Sequence, residues 1–223
     1  MAMSGIASAD ATGSASLANC GGGGDIISAT TVNWLTVGTQ PNTGCFNTGI
    51  STSISYSGGL VQAGAFGNIK DLTAGGSVDQ FMTILGTLPL LDFVLTAILP
   101  PATVGTACDT VVGDSCIVAP GSPFLLTNTA TGVSIVLDPV GTITDGGVTN
   151  PWSAIFTSQL SGTTDAAVQA TINGGGSISS SYSAALTIRD STTAVPEPNT
   201  LSLCLAGALA LFGIGRRRVA LNS

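Results

Sequence analysis

The chain contains no histidine, so its aspartates and the single glutamate, Glu197, are the side chains best suited to acid–base or metal chemistry. That absence removes Ser-His-Asp and Cys-His nucleophile systems, His-ligated zinc and most general-base arrangements. Two carboxylate pairs lie close in sequence, Asp109 with Asp114 and Asp138 with Asp145. Paired aspartates can hydrolyse a glycoside, or hold a hard cation such as calcium. Neither segment has the alternating carboxylates of an EF-hand loop, and Asp also stabilises turns through bonds to its own backbone. Turn formation is the simpler reading. We expect no enzyme, no metal and no cofactor, with an aspartate-based hydrolase as the alternative.

Five cysteines follow: Cys20, Cys45, Cys108, Cys116 and Cys204. Cys204 sits in an apolar run and stands apart. The other four form an even set, suited to disulfides in an exported chain. Cys108 and Cys116 enclose a short loop with a turn signal at Gly113-Asp114, a length that hairpin geometry closes easily. Cys20 with Cys45 follows by elimination; free buried thiols are the alternative. Neither pair has zinc or thioredoxin spacing. Trp34, Trp152, Tyr56 and Tyr182 offer either stacking faces for a carbohydrate or filling for a core. The threonines show no regular ladder of the kind that ice binding requires.

These groups need a scaffold. The 223 residues are 44% hydrophobic but only 8% charged, well under the roughly 25% of a typical soluble domain. Ser, Thr, Gly and Ala therefore cover the surface. Before Ala194 the only cations are Lys70 and Arg189, against eleven aspartates. Such a body cannot neutralise many phosphates, which argues against nucleic acid.

From about Thr30 the pattern is short β-prone runs separated by turn residues. Thr31–Val37, Gly49–Tyr56, Phe81–Leu85, Leu90–Leu99, Phe124–Thr129, Val133–Leu137, Val140–Thr144 and Trp152–Gln159 read as strands. Asp138-Pro139 and Asp145-Gly146-Gly147 read as turns. Thr164-Asp165 caps a short helix over 166–172, which Asn173-Gly174 ends in the left-handed conformation. Ser177–Arg189 closes the series, with Ile178, Tyr182, Ala184, Leu186 and Ile188 on one face. The expected fold is all-β: an antiparallel sandwich or jelly roll with one short helix. Its expected span is 30–190, after a Gly/Ser/Ala-rich segment at 10–29. Residues 1–9 end in Ala7-Ser8-Ala9, a small-x-small triplet that reads as the remnant of a signal peptide.

The C-terminal end has its own order. Two prolines in Val195-Pro196-Glu197-Pro198 hold the backbone extended, within a linker at 191–198. Leu201–Gly215 is an uncharged apolar run, and with its flanks at 199–218 it reads as a minimal transmembrane helix. Arg216, Arg217 and Arg218 then stop transfer and hold that end in the cytoplasm. A buried terminal helix or a permanent anchor are the alternatives.

Val195 to Arg218 resembles the PEP-CTERM sorting signal of exported proteins in Gram-negative bacteria that make exopolysaccharide. The signature matches at Pro196, Glu197 and Pro198, with the span and the arginines in register. The resemblance implies recognition by an exosortase, a membrane cysteine peptidase, and removal of the tail near this motif. It implies a membrane-anchored precursor, a mature protein at the cell surface or outside the cell, and exopolysaccharide as a partner. Residues 120–190 resemble the bodies of other proteins bearing this tail, which implies a β-sandwich and no particular activity. The body is thus expected to be a non-catalytic surface or biofilm-matrix protein, with a carbohydrate- or ice-binding module as the alternative.

Overall fold

A computed structural model describes residues 10–35, 43–101, 105 and 107–191. Fifteen strands and one helix occur among them. The strands are β1 Gly13–Asn19, β2 Asp25–Ile27, β3 Thr31–Trp34, β4 Thr43–Thr48, β5 Ser55–Tyr56, β6 Gly59–Leu60, β7 Phe66–Lys70 and β8 Leu72–Thr73. They continue with β9 Val78–Ile84, β10 Leu91–Leu99, β11 Ser115–Ile117, β12 Leu125–Thr129, β13 Gly132–Asp145 and β14 Val148–Ser161. Helix α1, Asp165–Asn173, precedes β15, Ile178–Ile188.

The all-β class with one short helix is observed, but the architecture is a closed, barrel-like sheet, not two facing sheets. Eight strands form the ring, each antiparallel to the next: β13, β10, β9, β7, β4, β1, β15 and β14, which returns to β13. The closing strands are long. In β13, odd-numbered residues from Val133 to Asp145 point inward, and in β14 the even-numbered ones do so from Asn150 to Ser158. This period-two alternation is what a strand with one buried face requires.

Closure depends on a residue expected to be a turn. Asp138-Pro139 lies inside β13, which runs through it without a change of register against β14. Proline removes a ladder donor, and the β13–β14 pairing skips Asp138 and Pro139 between Leu137↔Phe156 and Val140↔Ser153. On the other side of β13, Pro139 stands opposite Ile98 of β10. The runs Val133–Leu137 and Val140–Thr144 are therefore one strand. Register shifts in β10, between Leu95 and Ala97 and between Phe93 and Leu95, add the local bending that a closed sheet needs.

Two flanks extend the ring. The first half of β13 carries β12 and then β11, while the first half of β15 carries β2, β3 and β8 in turn. The fold also begins earlier than residue 30, because β1 is a stave of the ring between β4 and β15. The Gly/Ser/Ala-rich stretch supplies that stave because Ala15 and Leu17 turn inward while Ser14 and Ser16 stay at the surface.

Helix α1 forms where expected. Thr164 caps it, its hydroxyl accepting from the Ala167 N–H at 3.3 Å, and Val168 and Ile172 are buried. Its end differs by a step: Gly174 has φ −75°, and the left-handed residue is Gly175 at φ 82°. One hydrophobic cluster, including Phe46, Phe81, Phe93, Trp152 and Phe156, fills the body, whose compact unit ends at Asp190.

Candidate functional site

The sorting residues named from sequence, Val195, Pro196, Glu197, Pro198, Arg216, Arg217 and Arg218, lie outside the described residues, as do 1–9 and Cys204. No helix among the described residues is long and apolar enough to cross a membrane. The residues with possible chemistry in the body can be placed.

Cys20 is bonded to Cys45, and Cys108 to Cys116, with Cα separations of 5.7 and 5.2 Å. The first bond joins the end of β1 to β4, two neighbouring staves. The second closes the loop that leads into β11. Asp165 brings a carboxylate oxygen to 3.4 Å from the Cys116 sulfur, and these three side chains are close enough together to form a ligand set. With the sulfurs joined to each other, neither is a thiolate, and thiolate is the form that binds metal.

The aspartate pairs separate. Asp138 and Asp145 lie seven residues apart on β13, on opposite faces, with Asp145 buried. At ~3.3 Å per residue their backbones are roughly 23 Å apart, far beyond the ~5–9.5 Å of a glycosidase pair. Asp145 accepts from the Ser57 N–H at 2.6 Å and from the Ser57 hydroxyl. Asp109 accepts from the Val111 N–H at 2.7 Å, and the Asp114 N–H donates to the Val111 carbonyl. Those two build the turn that contains them.

All four candidate stacking residues are buried: Trp34, Tyr56, Trp152 and Tyr182. Trp34 packs edge-on to Tyr182 at 4.5 Å and lies 5.2 Å from Phe156. None offers a free face to a sugar. The Tyr182 hydroxyl donates to the Cys45 carbonyl at 2.9 Å.

Sequence reasoning missed Asp25. It occupies β2, directly opposite Trp34 on β3 and Ser180 on β15, and it is 1% exposed. One carboxylate oxygen accepts from the Ser158 hydroxyl of β14. The other oxygen and the Trp34 indole N–H have no partner among the described residues, and both residues line a cavity of about 10 Å³, room for one water molecule. Burial pushes the Asp25 carboxyl up to about 6 against its hydrogen bonds, which lower it. Burial, then the Asp25 charge, raises the Tyr182 phenol. A signal was available: Asp25 precedes Ile26-Ile27 in an otherwise apolar run, but only the three-strand register shows it facing inward.

Two larger clefts, of about 300 and 290 Å³, lie beside α1. Leu160, Val168, Thr171 and Ile178 line the first, and Asn128, Thr131 and Thr164 the second. Neither contains a titratable side chain.

The chain matches the PEP-CTERM protein-sorting motif over residues 194–219. No curated protein and no solved structure matches it.

Proposed function

We propose that this is an exported structural protein of the bacterial outer surface or biofilm matrix, delivered by its C-terminal sorting motif and non-catalytic in its body. The motif at 194–219 carries the reading. It implies export, a membrane-anchored precursor and processing by an exosortase. In that scheme Val195-Pro196-Glu197-Pro198 is the extended segment the peptidase recognises, Leu201–Gly215 enters the membrane as a helix, and Arg216–Arg218 stays on the cytoplasmic side. None of these residues performs chemistry; they are features of a substrate.

The body supports a structural role. Its disulfides suit an oxidising compartment, the two clefts beside α1 are lined by no acid or base, and its Asp138–Asp145 pair is split across the sheet. With both tryptophans and both tyrosines buried, the residues first considered for a carbohydrate platform have no exposed face. Gram-negative origin and contact with exopolysaccharide belong to the same proposal.

The test is mass spectrometry of the protein recovered from its own bacterium. We expect a C-terminus near Pro196–Pro198 in surface or extracellular material, and retention of the tail when the exosortase gene is deleted. A cytosolic protein that keeps its final Ser223 would overturn the reading. Loss of the gene should weaken aggregation or surface polysaccharide; an unchanged biofilm would remove the matrix role while leaving sorting intact.

A further inference from the structure

One end of the barrel carries an apolar rim. The loop between β9 and β10 exposes Leu85, Leu88 and Leu90, and beside it Leu60 and Phe66 are also exposed. Leu88, at 82%, is nearly as open as a side chain can be. The residues belong to one patch. The Leu85 N–H donates to the Phe66 carbonyl at 2.8 Å, and a Cβ at Gly58, two residues before Leu60, would lie 2.0 Å from the Leu88 carbonyl. Two internal hydroxyl bonds brace the loop: Thr87 donates to the Ile84 carbonyl at 2.9 Å and accepts from the Leu91 N–H at 3.0 Å. Leucines held outward on a braced loop are unusual for a soluble surface and mark an interaction site.

The topology says what lies near this rim. β10 leaves it at Leu91 and β13 arrives at it at Asp145, tied there to Ser57 in the turn before Gly58. β15 ends at the same end, where Ile188 pairs with Gly13 and Trp152. Twelve residues, at most roughly 45 Å of chain, join Ile188 to the apolar run that starts at Leu201. The rim therefore sits at the end of the barrel from which the sorting segment is tethered, which raises its local concentration at any membrane holding that segment. Arg189 and Lys70 are the only cations among the described residues, so attraction to anionic headgroups is not the driving force.

We propose that the Leu60, Phe66, Leu85, Leu88 and Leu90 rim docks the precursor end-on against a zwitterionic lipid surface. The proposal rests on the sorting reading above, because the tail supplies the membrane. Docking holds the linker at 191–198 close to the bilayer, where a membrane peptidase works. It is lost on cleavage, when the tether no longer supplies the local concentration.

The full chain, with Cys204→Ser, is reconstituted in phosphatidylcholine vesicles, and a single new cysteine carries an environment-sensitive fluorophore. Leu88→Cys places it on the rim, and Val112→Cys places it in an exposed loop at the far end. We expect spin-labelled lipid to quench position 88 at least about threefold more than position 112, and Leu85→Asp with Leu90→Asp to abolish the difference. Equal quenching at the two positions in chain that floats with the vesicles overturns the rim proposal alone. Chain that fails to float overturns the tail reading and the proposal together. Disulfide-linked dimers of a parallel, unlabelled Leu88→Cys sample, together with no lipid quenching of the labelled one, assign the rim to a second copy and overturn it.

Discussion

Trp152 covers Gly141, its direct partner across the β13–β14 ladder, and its indole N–H donates to the Val94 and Thr142 carbonyls, both at 3.1 Å. A Cβ at 141 would stand 1.8 Å from the Val94 oxygen and 2.8 Å from the indole. An aromatic laid over a cross-strand glycine fills the gap that the missing side chain leaves. Phe46 and Gly67 repeat the arrangement between β4 and β7. Gly141→Ala should therefore lower stability by about 3 kcal/mol, the upper range for overpacking a tight site. Urea unfolding measures it; a loss below about 1 kcal/mol would show that the indole moves aside freely.

Asp145 ties the end of β13 to the turn after β5, with both bonds made to the one residue Ser57. Asp145 is 3% exposed. Asp145→Ala would remove both of these bonds from a buried side chain, at a cost of roughly 1–3 kcal/mol. Ser57→Ala removes only the hydroxyl bond and should cost less. Equal effects of the two substitutions, by thermal or urea denaturation, would show that the backbone bond contributes nothing.

The β class, the short helix, the β9–β10 hairpin and the inward face of β15 were legible in the sequence because each depends on local periodicity or turn chemistry. Tyr182, Ala184, Leu186 and Ile188 alternate visibly, and Thr164 announces its cap. What was not legible depends on register between distant segments. Pro139 reads as a turn until its neighbours Ile98 and Leu137 show the strand running through it. Asp25 falls in the Gly/Ser/Ala-rich segment with nothing to mark it until its partners Trp34 and Ser180 place it inside. Gly141 and Gly67 carry no side chain to mark them, and their role exists only opposite Trp152 and Phe46. Closure of the ring joins β1 to β15 across nearly the whole chain, a pairing no local pattern encodes.

The two disulfides close loops of different length. Cys20–Cys45 spans 25 residues and Cys108–Cys116 spans 8. Chain-entropy arguments give about 3.5 kcal/mol for the first and about 2.5 kcal/mol for the second. Replacing Cys20 and Cys45 by serine should therefore lower the unfolding midpoint more than replacing Cys108 and Cys116. The first bond also joins two staves of the ring, which reinforces the order. The reverse order in non-reducing thermal melts would sink this account.

Asp25 makes stability depend on pH, with a sign opposite to the usual aspartate. Its neighbours are Ser158 from β14, Trp34 from β3, Ser180 and Tyr182 from β15, and the apolar side chains of Phe124, Ile135 and Phe156. No cation is among them, so burial dominates and the folded carboxyl titrates near 6 instead of 3.8. The folded state then holds its proton more tightly than the unfolded chain. Below about pH 4 both states are protonated and the group costs nothing. Between about 4 and 6 the unfolded chain releases the proton first, and stability falls as pH rises. Above about 6 the full cost of the buried charge is present, on the order of 3 kcal/mol. Asp138, also raised by burial but only partly buried, adds a smaller slope of the same sign. Asp25→Asn should flatten most of the decline and leave the variant more stable than the parent at pH 7. Urea midpoints at pH 4, 5, 6 and 7 test it, and an unchanged slope in the variant would show that the loss of stability with rising pH resides in another group.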